Sequence, residues 1–269
     1  MTKLKNKVIW ITGASSGIGE ALTYELAKRG NKLILSSRRK EELERVKGNC
    51  PPQAQPDIRI LPLDLSESAT LQLSVEAALQ LFGHVDVLIN NGGISQRSLA
   101  KDTILEVDRR VMEVDYFGQI ALTKYLIPHF IERKQGHYVT ITSITGKVGT
   151  PYRTGYSAAK HALHGFFDAL RAELWNESPN IYVTLVCPGW IKTNVSINAL
   201  VGDGSMNQKM DPTTAAGLPP AVLAVKMVRA IEKKKNEVYI AGAKETLAVY
   251  LKRLFPSLLA SIIRKAQVR

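Results

Sequence analysis

Two kinds of apolar pattern take turns along this chain. Short unbroken runs such as Val8-Ile9-Trp10-Ile11, Leu33-Ile34-Leu35 and residues 85–89 read as strands buried on both faces. Between them, apolar residues return every three or four positions, the spacing of a helix with one buried stripe. The first such stretch holds Ile18, Ala21, Leu22 and Leu26 and is stopped by Gly30-Asn31. Further strands are predicted at Ile58-Arg59-Ile60-Leu61 with Leu63, and over 137–143, 181–187 and 237–240. Ser66 is placed to cap a helix carrying Leu71, Val75, Ala78, Leu79 and Phe82. Longer helical patterns run over 104–133, with Pro128 near the end, and over 221–234. The proline-rich stretch 50–57 reads as a surface loop. Strands that alternate with helices require a parallel sheet with right-handed crossovers, and such a sheet binds ligands beyond the C-terminal ends of its strands.

Composition narrows the partners. A length of 269 residues with 45% hydrophobic content fits one large α/β domain with an ample core. Lys and Arg number 36 against 24 Asp and Glu, and the resulting charge of +12 favours nucleotide phosphates, acidic lipid head groups or nucleic acid. No nucleic-acid motif or aromatic stacking platform is visible, so nucleic acid is not expected as a partner. Cys50 and Cys187 stand far apart with no C-x-x-C spacing, which argues against a metal site or a disulfide and for a reducing compartment. The first strand begins at Val8, leaving no room for a signal-peptide apolar core, and no apolar run reaches the ~18 residues of a membrane span. A cytoplasmic or cytosol-facing protein is expected.

The candidate chemistry sits where the strands are predicted to end. Residues 12–19 read TGASSGIG, directly after the first strand and at the start of a helix. Glycines there let the backbone turn sharply and come close to an anion, while the helix N-terminus offers unpaired N–H groups and the positive end of its dipole. Gly13, Ser15, Ser16, Gly17, Ile18 and Gly19 are therefore the candidate cradle of a dinucleotide, although the glycine spacing is one residue longer than G-x-G-x-x-G. The second strand ends in Ser36-Ser37-Arg38-Arg39, about twenty residues on, where an NAD site would place an acid on the ribose. Ser37 and Arg38 suit the 2′-phosphate of NADP(H) instead, since a guanidinium grips phosphate and a carboxylate repels it. The bland alternative is that Arg38, Arg39 and Lys40 only begin a solvated helix. Tyr156 and Lys160 lie one helical turn apart, so an ammonium can stabilise a phenolate, which makes a general acid or base.

Taken together, residues 12–19, Asp64-Leu65, Asn90-Asn91-Gly92-Gly93, Ser143, Tyr156 with Lys160, and Pro188-Gly189 leading to Thr193 make the sequence resemble the short-chain dehydrogenase/reductase family over nearly its whole length. That resemblance implies an α/β fold, a doubly wound (Rossmann) parallel sheet of about seven strands with helices on both faces. It implies hydride transfer between NAD(P) and a carbonyl or alcohol. In the reductive direction Ser143 would hold the substrate oxygen and Tyr156 would protonate it, while Lys160 would bind the nicotinamide ribose and favour the tyrosine's phenolate. Asp64, Leu65, Asn91 and Gly93 would line the cofactor, and Pro188, Gly189, Ile191 and Thr193 would clamp the nicotinamide carboxamide. Residues 194–218 resemble the family's substrate lid.

Two positions depart from the family pattern. Gly92 replaces the usual alanine, a change expected to loosen the backbone and do little else. Asp115 replaces an asparagine that belongs to a proton-feeding water relay; it would pair with Lys160, or else point away and cap a turn. Asp115 is thus a further catalytic candidate.

One domain is expected over 1–245, followed by a tail over 246–269. In the tail Leu247, Val249, Tyr250, Leu251, Leu254, Phe255, Leu258, Leu259, Ile262 and Ile263 interleave with Lys252, Arg253, Arg264 and Lys265. Such a tail either packs on its own domain or across a homo-oligomer interface, or it lies peripherally in a membrane surface, as in family members that act on steroids, retinoids and other lipids. The expected function is an NADP(H)-dependent carbonyl reductase of a small hydrophobic carbonyl or alcohol substrate. The alternative is a catalytically weak NADP-binding sensor or scaffold.

Overall fold

The computed structural model describes residues 4–264, so Lys265 and the rest of 265–269 lie outside the described residues. The core is a parallel sheet of seven strands, β1 (Val8–Thr12), β2 (Lys32–Ser36), β3 (Ile58–Ile60), β4 (Val87–Asn90), β5 (Gly136–Ile141), β6 (Ile181–Pro188) and β7 (Glu237–Ile240). Their order across the sheet is β3-β2-β1-β4-β5-β6-β7. The order reverses between β1 and β4, and that switch point opens a crevice at the strands' C-terminal ends.

The helices are α1 (Gly17–Ala27), α2 (Lys40–Gly48), α3 (Ser68–Phe82), α4 (Leu105–Met112), α5 (Gly118–Arg133), α6 (Thr154–Glu177), α7 (Pro212–Ala215), α8 (Pro220–Glu232), α9 (Ala243–Leu254) and α10 (Pro256–Ile263). The two-residue period of a strand sends β1 side chains to opposite faces. Ile9 and Ile11 pack with Leu22 and Leu26 of α1, Leu43 of α2 and Met227 of α8. Val8 and Trp10 pack with Leu71 of α3, Leu126 of α5 and Phe167 of α6. Both faces of the sheet are thereby sealed, which explains why the strands read as unbroken apolar runs.

Several boundaries differ from the sequence expectation for local reasons. Residues 50–57 are ordered: Pro52–Asp57 forms a 3-10 helix that buries Ala54, and Gln55 Nε2 donates to the carbonyls of Gly48 and Cys50, both at 3.0 Å. Proline suits the first turn of a helix as well as a loop, which is why composition misread it. Ser66 does not cap α3. Its N–H and hydroxyl both donate to Asp64 Oδ1, at 2.9 and 2.7 Å, and the helix begins at Ser68. β3 stops at Ile60, yet Leu61 N and Leu63 N still donate to Leu35 and Ser37, so extended pairing carries on toward Asp64. The long helical pattern over 104–133 divides into α4, a π-helical turn Glu113–Phe117 and α5, with Pro128 accommodated inside α5. The widened turn holds Asp115, and such turns often occur at functional sites. The lid region contains α7, and the tail is the helix pair α9 and α10, starting at Ala243, ahead of the expected boundary at 246.

Candidate active site

The crevice is built at the ends of β1 and β4. Gly13 takes a left-handed φ of +64°, and a side chain on it would fall 2.7 Å from the Gly92 backbone. A Cβ on Gly19 would run into the Gly13 carbonyl. This close approach is locked by Asn91, whose Nδ2 donates to the carbonyls of Thr12 and Gly13 at 2.9 and 3.1 Å. Thr12 Oγ1 in turn accepts from Asn91 N and Gly92 N, both at 3.0 Å. Ser16 precedes α1 in extended conformation and its side chain makes no cap bond, so the side chain leaves the first-turn N–H groups to other acceptors. A backbone cradle without side chains at a helix start fits a phosphate group, and a dinucleotide in particular, because the neighbouring strand ends continue the groove.

At the end of β2, Ser36 Oγ accepts from Trp10 Nε1 at 2.8 Å, and the Arg38 side chain is exposed. Burial disfavours the Asp64 carboxylate. The two bonds from Ser66 and the charges of Arg38 and Arg110 outweigh that effect and hold its pKa below the ordinary range. Arg38 is thus an exposed charge that acts on Asp64, with no acid at its own strand end.

Across the switch point, Ser143 caps a 3-10 turn, Ile144–Gly146, and its Oγ accepts from Thr145 N at 3.1 Å and Thr145 Oγ1 at 2.9 Å. Since both contacts use lone pairs, the Ser143 proton remains free to be donated elsewhere. Tyr156 and Lys160 lie one turn apart near the start of α6, with Lys160 Nζ 5.5 Å from the Tyr156 ring centre. Asp115 does not point away. Its Oδ2 sits 3.1 Å from Lys160 Nζ, and its Oδ1 accepts from Ile94 N at 2.7 Å. Lys160 Nζ also donates to Ile141 O at 3.4 Å. Both members of the pair are buried. Burial raises the Asp115 pKa against the opposing Lys160 charge. Burial disfavours the Lys160 ammonium, but the charges of Asp115 and Tyr156 prevail and its pKa is raised.

These groups meet in one cavity of about 540 Å³. Ile18, Asn91, Gly93, Asp115, Ser143, Tyr156, Lys160, Pro188, Gly189, Ile191 and Thr193 all line it. Gly13, Ser15, Ser16, Gly17, Gly19, Ser37, Arg38, Asp64 and Leu65 do not; they belong to the crevice at the ends of β1 to β3. The Gly92 departure is more than a loosening. A Cβ there would meet Leu65 Cδ1 at 2.7 Å, so the bare residue makes room for Leu65.

Three features had no signal in the sequence spacing. Arg97 and Arg153 converge on Asp211 Oδ2 at 2.6 and 3.2 Å, all three buried, and Arg153 also stacks on Trp190 at 4.9 Å. The two arginines and Trp190 line the cavity. Cys187 Sγ lies 3.7 Å from His164 Nε2, and His164 Nδ1 lies 3.3 Å from Glu237 Oε2. The thiol and the carboxylate face different nitrogens of one imidazole, as in a hydrogen-bonded chain, and one ligand atom from each of the three residues lies within 4.8 Å of the others. Burial lifts the Cys187 thiol to about 12. Finally, Lys244, Glu245 and Ala248 of α9 and Leu259, Ile262 and Ile263 of α10 close the cavity, so the tail packs on its own domain as a wall of the site.

The sequence profile of the short chain dehydrogenase family matches residues 7–201. The chain is 43% identical over 263 residues to dehydrogenase/reductase SDR family member 7B of Mus musculus, covering 97% of this chain and 81% of that protein. Among solved structures, a short chain dehydrogenase/reductase from Burkholderia phymatum in complex with NAD is similar at a TM-score of 0.83 and 23% identity, over 96% of each chain. A short chain dehydrogenase from Burkholderia cenocepacia in complex with NADP is similar at 0.80 and 23%, covering 98% of this chain and 100% of that one.

Proposed function

This chain belongs to the short-chain dehydrogenase family of oxidoreductases, and on that premise we propose that it is an NADP(H)-dependent reductase of a hydrophobic carbonyl compound. The observation that carries this reading is the cavity itself: Ser143, Tyr156 and Lys160 converge on a chamber whose wall is mainly apolar, with Ile94, Ile144, Val148, Trp190, Leu259 and Ile263 beside a polar minority that includes Arg97 and Arg153. An apolar chamber with a few convergent polar groups accepts an apolar molecule and fixes it by its one polar end.

The hydride would come from a nicotinamide cofactor bound in the crevice. Ser143 donates its free proton to the substrate oxygen, which orients and polarises the carbonyl. Tyr156 delivers the proton that the forming alcohol needs. Lys160 holds its charge near the phenol, and Asp115 anchors that ammonium through the 3.1 Å ion pair. Arg38, exposed at the end of β2 with no acid at the strand end, supports the 2′-phosphate preference. That NADPH is the reducing pool supports the reductive direction by association.

The test is NADPH oxidation across ketosteroids, retinals, quinones and small aliphatic ketones, repeated with NADH. Turnover of the bulky apolar ketones with NADPH supports the reading. A preference for NADH, or for small polar ketones alone, overturns it. The Asp115–Lys160 pair favours a second reading, an NADP-binding sensor or scaffold with weak turnover, because the carboxylate compensates the charge that would stabilise a phenolate. Micromolar NADPH binding by calorimetry with no turnover in the same screen would select it.

A further inference from the structure

The helix pair α9 and α10 has two unlike faces. Its inner face closes the cavity through Ala248, Leu259 and Ile263, and Leu259 is only 4% exposed. Its outer face leaves Leu247, Tyr250, Leu254, Phe255 and Leu258 at 57, 53, 66, 58 and 53% exposure. Contiguous exposed side chains of this size mark a surface that something covers.

Charge decides what the cover is. Residues 243–264 carry Lys244, Lys252, Arg253 and Arg264 against a single acid, Glu245, and that acid lies against Gly189 on the cavity wall. Lys244 shares that wall with Glu245, and the exposed Lys252, Arg253 and Arg264 leave the rest of the pair with basic charge alone. A second copy seated on this face would bring two basic rims together on chains of charge +12, whereas anionic head groups complement the rim and acyl chains complement its apolar centre. Among the described residues no helix is long and apolar enough to cross a membrane, so the pair can lie on a bilayer and not through it.

We infer that the outer face of α9 and α10 docks on an anionic bilayer. Ile262 lines the cavity and is also 49% exposed, which places it at the rim where the chamber meets the outside. With the pair resting in lipid, that rim lies at the acyl boundary, and an apolar substrate dissolved in the membrane reaches the chamber without crossing water. The access route rests on reading the chamber as the substrate site; the docking does not.

The experiment uses the full chain and needs no substrate. In sedimentation with phosphatidylcholine vesicles containing phosphatidylserine, the wild type is expected to bind, at least tenfold more weakly in 0.5 M salt or without phosphatidylserine. A variant carrying Leu254→Glu, Phe255→Glu and Leu258→Glu, exposed positions outside the cavity wall, should lose binding at least tenfold while keeping its melting temperature. Vesicles with brominated acyl chains should quench the added tryptophan of Phe255→Trp and of Ile262→Trp, measured against the wild-type background from Trp10, Trp175 and Trp190. Quenching at 255 without quenching at 262 overturns the access route. Absence of vesicle binding, with a dimer that the triple variant dissociates, overturns the docking in favour of a second copy. Because neither readout involves turnover, their failure is separable from failure of the reductase assay.

Discussion

The two halves of the cleft are built by different means. The cofactor half, at the ends of β1 to β4, is backbone held by two short side chains: Asn91 Nδ2 and Thr12 Oγ1 tie the loop after β4 to the end of β1 around Gly13 and Gly19. The substrate half gathers its wall from β5, α6, the lid and the far tail, and holds it with side chains such as the Arg97–Asp211–Arg153 cluster. A site made of strand ends depends on the fold alone, while a site made of a docked tail depends on what the tail touches outside. The first half should therefore tolerate change in the second, and the reverse.

Mutations that separate the halves test this directly. The largest effect is expected for Tyr156→Phe, which removes the proposed proton donor: turnover should fall roughly 10²–10⁴-fold with NADPH affinity changed by less than about twofold. Stopped-flow kinetics and calorimetry on the same sample check both numbers, and a matched loss of affinity would erase the division. Arg38→Ala should weaken NADPH by about 10- to 100-fold, the worth of a charge-assisted bond, and leave NADH and the substrate KM nearly unchanged. Equal loss for both cofactors would place Arg38 outside the phosphate site.

Asp115→Asn acts at the seam between the halves. Freed of its counter-charge, the Lys160 ammonium stabilises negative charge developing beside it better, so the acid limb of the oxidation pH–rate curve should move to lower pH. Superimposable profiles for the two proteins in both reaction directions would remove Asp115 from proton transfer. Leu259→Ala opens the chamber wall from the tail side, and KM for a bulky ketone should rise roughly threefold, about 0.7 kcal/mol, with NADPH affinity untouched. The smallest effect concerns Glu237. Burial disfavours its carboxylate, but His164, Lys147 and Tyr239 outweigh that and hold it down to about 2. A depressed folded-state value contributes stability that is complete above the ordinary 4.5 and is lost as pH falls toward about 2. Thermal melts over that window should fall more steeply for the wild type than for Glu237→Gln, by a modest margin because the group is partly open to solvent.

The glycine-rich crevice and the Tyr156–Lys160 turn were legible because their signals are short-range. Glycines at fixed offsets after an apolar run, Asn91 after another, and Tyr156 with Lys160 on one helical turn all follow from local periodicity. Asp115 was visible only against the family pattern, and its 3.1 Å contact with Lys160, made from a π-helical turn, selects pairing over the alternative of a turn cap. Ser66 and residues 50–57 were misread because the same residue types serve caps, turns and short helices equally well. The arginine cluster joins residues 58 and 114 positions apart in sequence, and nothing in either neighbourhood announces the other. The tail showed its amphipathic composition but not which of its faces would meet the chamber, since that depends on where the end of β7 delivers the chain.

Gly92 and Leu65 close the crevice as a pair, 27 residues apart in the sequence and within 2.7 Å of an added methyl. A change to the alanine usual in the family is therefore not a return to neutral ground in this chain. Gly92→Ala alone forces the Leu65 side chain to turn aside, and a smaller residue at 65 would absorb the methyl without strain. The two positions form an epistatic unit: which residue is acceptable at one is set by the other, and a chain that carries the wrong combination must pass through a less stable intermediate to leave it.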